Sequence, residues 1–284
     1  MHANSIGTLK RALAGAFCLL ALALLLPAQG WSEASAQNGQ TRLKQAIAGD
    51  HREAKNKARD EYRRPYETLT FFDIAPDMTV VEIWPGRGWY SEILAPYLKG
   101  SGKYYAASYE KGASGYVGGI LKSYMDKLKT QPQVYGETIV TELSDDKTAI
   151  APEGSADLVL TFRNVHNWMR FGYGDTVFEA MYKALKPGGV LGVVEHRADP
   201  DEIPDPQAKS GYVPEDAVIE MAEAAGFKLV EKSELNANPK DTRNHPAGVW
   251  TLPPSLRLKD KDREKYLAIG ESDRMTLKFV KPKT

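Results

Sequence analysis

Two short stretches carry the side chains able to do acid–base chemistry. Arg163-Asn164-Val165-His166-Asn167-Trp168 follows an apolar run, and Glu195-His196-Arg197 closes another. Histidine titrates near neutrality, so His166 is the candidate general base for an O–H or N–H group. Glu195 is placed to orient or charge-stabilise it, Asn164 to hold a substrate by hydrogen bonding, and His196 to share the proton chemistry. Trp168 offers an indole for stacking on an aromatic or cationic ligand. Outside the leader four histidines remain, His51, His166, His196 and His245, and all four could meet over one pocket. None shows a helical or tight-turn ligand spacing, so no metal site is assigned.

The elements around these stretches position them. Val80-Val81-Glu82-Ile83 reads as a buried strand, Trp84-Pro85-Gly86-Arg87-Gly88 as a tight loop, and Ser91–Leu98 as the helix that the loop opens. In a doubly wound sheet, ligands lie at the carboxyl ends of strands, where glycines let the backbone approach and helix N-termini offer free N–H groups. The ligand is therefore expected over residues 82–90. Lys103–Ser108, Thr138–Leu143, Ser155–Phe162, Val190–Glu195, Phe227–Leu235 and Met275–Val280 read as six further strands. Helices are expected at 120–128, 176–185 and 214–225, and Arg42–Tyr62 reads as one charged helix ending before Pro65. That helix either presents a solvated face or lies across the mouth of the site.

Glu82-Ile83-Trp84-Pro85-Gly86-Arg87-Gly88 resembles the E/D-x-G-x-G-x-G motif of class I S-adenosylmethionine (SAM) dependent methyltransferases, with Trp84 at the position of the first glycine. The helix, Leu185-Lys186-Pro187-Gly188-Gly189 and strand succession resembles the later half of the same family. The fuller string through Trp89-Tyr90 and Glu92–Tyr97 is similar to an exported bacterial subgroup described as predicted methyltransferases. The resemblance implies a Rossmann-like doubly wound seven-stranded α/β sheet, mostly parallel with an antiparallel C-terminal strand. It implies SAM as cofactor, held by Glu82, Trp84, Gly86, Gly88 and Tyr90. Ser108 or Glu110 would serve at the ribose and Asp145 near the adenine. His166, Asn164, Glu195 and His196 would then face the transferable methyl group.

The chain has 284 residues, with 37 basic and 37 acidic side chains and 42% apolar content. That balance exerts no general pull towards nucleic acid or anionic membrane and favours a small-molecule substrate. Lys10-Arg11, the apolar run Ala12–Leu26 and Ala34-Ser35-Ala36 read as a secretory signal cut after Ala36, giving an exported, periplasmic protein free of the membrane. The one cysteine, Cys18, falls inside that leader, which removes disulfides and thiolate chemistry from the mature chain. The expected organisation is a signal at 1–36, a helical covering segment at 37–75 and a methyltransferase-like domain at 76–284 with an insertion at 236–261. Two functions follow: methyl transfer to a small acceptor, or a non-catalytic binding protein of the same fold holding a nucleoside-like or aromatic ligand.

Overall fold

A computed structural model describes residues 28–201 and 203–283, with side chains from Gln37 onward. Residues 1–27 of the expected signal (1–36) lie outside the described residues, and its Ala34-Ser35-Ala36 site falls in the first described helix (Ala28–Ala48). Among the described residues no helix is long and apolar enough to cross a membrane.

The chain begins with α1 (Ala28–Ala48), α2 (Ala54–Lys57), α3 (Asp60–Arg63) and α4 (Pro65–Phe71). A Rossmann-like succession follows: β1 (Thr79–Ile83), α5 (Ser91–Leu98), β2 (Lys103–Ser108), α6 (Gly115–Thr130), α7 (Pro132–Tyr135) and β3 (Ile139–Glu142). The second half comprises β4 (Ala156–Phe162), α8 (Val165–Phe171), α9 (Gly174–Ala184), β5 (Leu185–His196), α10 (Glu215–Ala224), β6 (Lys228–Ser233), α11 (Arg263–Ile269) and β7 (Arg274–Val280).

The seven strands lie in the order β3-β2-β1-β4-β5-β7-β6. The first five run parallel, and β7 inserts antiparallel between β5 and β6. This is the α/β sheet expected from the sequence. The chain winds outward from β1 to β3 and then returns across β1 to β4, so the crevice opens above the carboxyl ends of those two neighbours.

Strand periodicity divides the core. Val81, Ile83, Tyr105, Ala107 and Val159 face Phe178, Met181, Val218 and Ala222 of α9 and α10. Their alternates, Val80, Tyr104, Ala106, Leu158 and Leu160, face Leu43, Leu69, Ile93 and Leu94 of α1, α4 and α5. Gly192 is required in β5, because a Cβ there would stand 2.7 Å from the Phe72 ring.

One expectation is corrected. Arg42–Tyr62 is not one helix: α1 ends at Ala48, where Arg52 donates to the Ile47 carbonyl and Lys57 to that of Ala48, capping the helix while the chain turns. Residues 163–168 lead from β4 into the two-turn helix α8. The last two strands are separated by α11 as well as by a short 3-10 turn at Gly248–Thr251.

Candidate active site

A cavity of about 720 Å³ opens above β1, β4 and β5. Its floor includes the 84–87 loop, Phe162, Arg163, Asn164, His166 and His196, and its walls include His51, Asn56, Arg59, Arg63, Trp89, Trp250 and Glu271. The N-terminal helices therefore do reach the mouth, as one of the two readings of their charge required.

Glu195 organises the polar end. Its Oε2 accepts the backbone N–H of Val165 at 2.6 Å and that of His166 at 3.4 Å, closing the first turn of α8. Its Oε1 accepts the N–H of His196 at 2.7 Å and lies 3.1 Å from His166 Nδ1. With both oxygens occupied as acceptors, His166 donates through Nδ1, which leaves the Nε2 lone pair as its basic site. The geometry is one that suits a base and its orienter, buried at the end of β5.

His196 sits beside it, with ring centroids 5.5 Å apart, and its Nδ1 lies 2.5 Å from Ser272 Oγ. Burial, followed by the positive charges of His166, Arg163, Arg274 and Arg63, holds its pKa well below the ordinary histidine value. Asn164 commits its amide N–H groups to the Ile83 carbonyl (2.9 Å) and Thr161 Oγ1 (3.3 Å), so only its side-chain oxygen can serve a ligand.

His166, Glu195 and His196 present atoms within 4.8 Å of one another that could ligate a metal. The guanidiniums of Arg163, Arg274 and Arg63 near His196 oppose a cation there, while the Glu195 carboxylate favours one. His51 reaches the cavity but has a structural partner. Pro96 lacks an N–H and leaves the Glu92 carbonyl of α5 without its helical donor, and His51 Nε2 fills that role at 2.6 Å. His245 lies away from the cavity lining, bonded to Asp241 at 2.8 Å. The four histidines do not converge.

The residues expected to hold a cofactor divide. Trp84 and Gly86 line the cavity, and Gly86 (φ 61°) and Gly88 (φ 82°) adopt the left-handed backbone that glycine favours. Trp84 shares that geometry with φ 44°, an unusual conformation for an indole-bearing residue. Its ring turns towards β2 and β3, donates from Nε1 to the Leu143 carbonyl at 3.1 Å, and packs 4.6 Å from the Tyr109 ring and 5.9 Å from that of Trp168.

Glu82 is buried beneath the loop and bonded to Tyr104 and Ser91; burial raises its pKa to about 7 despite those bonds. Tyr90 stacks on Phe162 at 3.5 Å, below the cavity surface. Ser108 is buried, with its hydroxyl oxygen lacking a partner among the described residues. Glu110 accepts from Ser144 Oγ, and Asp145 is exposed outside the cavity lining. Trp168 is fully buried against Phe178, so its indole is core and unavailable for stacking on a ligand in the cavity.

Sequence reasoning missed Glu271, Arg274 and Trp250. Glu271 and Arg274 approach from a segment at the far end of the chain, just before and at the start of β7. No motif or spacing links them to residues 163–166; only the β5–β7 register does, pairing His196 with Arg274.

No family model matches the chain, and no curated protein matches it. Solved structures do. A SAM dependent methyltransferase from Aquifex aeolicus aligns over 69% of this chain and 92% of its own, with a TM-score of 0.51 and 18% identity. A phosphoethanolamine N-methyltransferase from Haemonchus contortus, in complex with S-adenosyl-L-methionine, aligns over 86% and 57%, with a TM-score of 0.53 and 14% identity. The (4+2)-cyclase SpnF aligns over 88% and 96%, with a TM-score of 0.54 and 12% identity. The chain has the class I methyltransferase fold, and that fold also carries a cyclase.

Proposed function

We propose that the protein is a SAM-dependent methyltransferase acting on a small acceptor, with His166 as the base. The observation that carries this reading is the His166–Glu195 pair beside a cavity whose floor is the glycine loop after β1. SAM fits this chain in part. The backbone at Gly86 leaves room for close approach, since a side chain there would stand in open space, whereas a Cβ at Gly88 would meet the Tyr124 ring at 3.1 Å. The Ser108 hydroxyl at the end of β2 lacks a partner among the described residues but is buried outside the cavity lining. Trp84 would have to move or to serve as an aromatic wall. The cofactor supplies an electrophilic methyl group when bound.

The protein's own part is to hold the acceptor against His166, whose Nε2 takes the proton released from an O–H or N–H nucleophile. Glu195 then stabilises the imidazolium through Nδ1–H while remaining tied to three backbone donors. Asn164 can accept one hydrogen bond from the acceptor, and Trp89 and Trp250 close the sides against water. The solved neighbours support the reading by their names and do not define the acceptor.

The basic, apolar and small-residue pattern of residues 10–36 supports action outside the cytoplasm, without a membrane or nucleic-acid partner. The deciding experiment incubates the full chain with methyl-labelled SAM and a panel of small alcohols, amines and acids, and follows S-adenosylhomocysteine. Acceptor-dependent product that His166→Ala abolishes supports the reading; SAM binding without product from any acceptor counts against it.

One observation favours a second reading. The buried Trp84 indole already occupies the β2–β3 side of the crevice, as it would in a binding protein that holds some other aromatic ligand over β4 and β5. Calorimetric titration separates the two: absence of SAM and S-adenosylhomocysteine binding supports the binding protein.

A further inference from the structure

Beyond the base, the cavity has an unusual charge balance. Arg59, Arg63 and Arg274 converge on one carboxylate, Glu271, with contacts of 2.5, 3.3 and 3.2 Å. Burial opposes the ionisation of Glu271, yet the guanidiniums of Arg63, Arg274 and Arg59 hold its pKa down at about 2. Arg274, behind Glu271, keeps a buried Nη1 with no partner among the described residues.

Two further arginines line the same cavity without a side-chain hydrogen bond or ion pair among the described residues: Arg87, which is exposed, and Arg163, which stands nearer the polar end. The Arg163 backbone is left-handed (φ 61°) and is anchored by its N–H to the Val194 carbonyl at 2.7 Å. The other acids lining the cavity are already paired: Glu53 with Lys55 and Lys127, Asp126 with Lys122. Arg163 is partly exposed; a positive charge even partly withdrawn from water without a counter-charge is disfavoured, and a strained backbone persists only where its surroundings impose it. Burial depresses the pKa of Arg63 to about 9 and that of Arg163 to about 10, as expected where charge is held at a cost.

We infer that Arg163 receives an oxyanion, a carboxylate or a phosphate, carried by the small molecule that occupies this cavity. The planar guanidinium fork suits both groups. Tyr90 and Phe162 beneath and Trp89 and Trp250 at the sides suit a flat or apolar body attached to that anion. The same guanidiniums that attract an anion oppose a divalent cation beside His196. The inference rests on the methyltransferase reading only in calling the bound molecule the acceptor.

The test needs no SAM, so its failure and that of methyl transfer are separable. The full chain is titrated calorimetrically with benzoate, phenyl phosphate and benzamide, the last as the uncharged control. Either anion should bind at least about tenfold more tightly than benzamide, and preference between the two identifies the group. Arg163→Gln should remove that advantage, Arg163→Lys should retain part of it, and thermal melts should show both variants folded. Glu271→Gln, which removes the competing carboxylate, should tighten anion binding. Equal affinity for benzamide and the anions, undiminished anion binding in Arg163→Gln, or no binding of either anion at tens of millimolar would overturn the inference.

Discussion

The indole of Trp84 donates from Nε1 to the Leu143 carbonyl across 3.1 Å, tying the loop after β1 to the end of β3. The bond fills part of the β2–β3 half of the crevice with the indole, although the cavity still reaches Tyr109 and the α6 residues Ser123, Asp126 and Lys127. Trp84→Gly should open that half and relieve the left-handed backbone, raising SAM affinity by about tenfold or more in a calorimetric titration. The same change empties a buried indole site and should lower stability by roughly 3–5 kcal/mol in urea unfolding, less the strain relieved. A fall in SAM affinity in a folded variant would make the indole part of the binding site.

If Nε2 takes the acceptor proton as proposed, His166→Ala should reduce turnover by roughly 10²–10⁴-fold with SAM affinity unchanged. Glu195→Gln should lower turnover less and shift its pH profile, since the amide still accepts from Val165 N–H but no longer stabilises the imidazolium. Steady-state rates against pH distinguish the roles. A His166→Ala enzyme with normal turnover would remove the residue as base.

Glu82 governs an acid-side stability change. Its pKa is raised from 4.5 to about 7 in the folded protein, chiefly by burial, so the folded state binds more protons than the unfolded state between those values. Its contribution is fully present below about pH 4.5 and is lost as pH rises to about 7, a change of roughly 3 kcal/mol. Glu82→Gln keeps the shape and removes the ionisation. Chemical denaturation across pH 4–8 should show the variant gaining on the parent as pH rises through this window; parallel curves would contradict the assignment.

His51 and Pro96 form a coupled pair. His51→Ala should destabilise the protein by roughly 1–3 kcal/mol by leaving the Glu92 carbonyl without a donor. Pro96→Ala restores an N–H within α5 and should make the loss of His51 much less costly. A double-mutant cycle measured by urea unfolding reads the coupling directly. Additive effects would show that the His51 contact to Glu92 does not replace the helical bond.

The succession of strands and helices was legible because buried strands, glycine loops and amphipathic helices each leave local periodic marks, as in Val80–Gly88 and Leu185–Glu195; their arrangement in one sheet was implied by the family resemblance. His166 and Glu195 were legible for a related reason: both stand at strand ends, where a doubly wound sheet collects its polar groups. The break in the first long helix was not, because it depends on Arg52 and Lys57 reaching back to carbonyls of α1. The role of His51 was hidden in the same way, since only packing against α5 brings it to the Glu92 carbonyl that Pro96 leaves without a donor.

The amino-acid sequence by itself determined the class of fold, through the resemblance carried by Glu82–Gly88 and Leu185–Gly189, and the position of His166 and Glu195 at strand ends, because these follow from patterns within one element or between neighbours. Tertiary structure alone decided which way the Trp84 indole turns and how many guanidiniums share Glu271. Arg59 and Arg63, Arg163, and Glu271 with Arg274 come from three distant parts of the chain. They meet only because β7 inserts beside β5 and the N-terminal helices fold over the sheet's carboxyl edge, and electrostatic balance at a buried site depends on distances that no local pattern encodes.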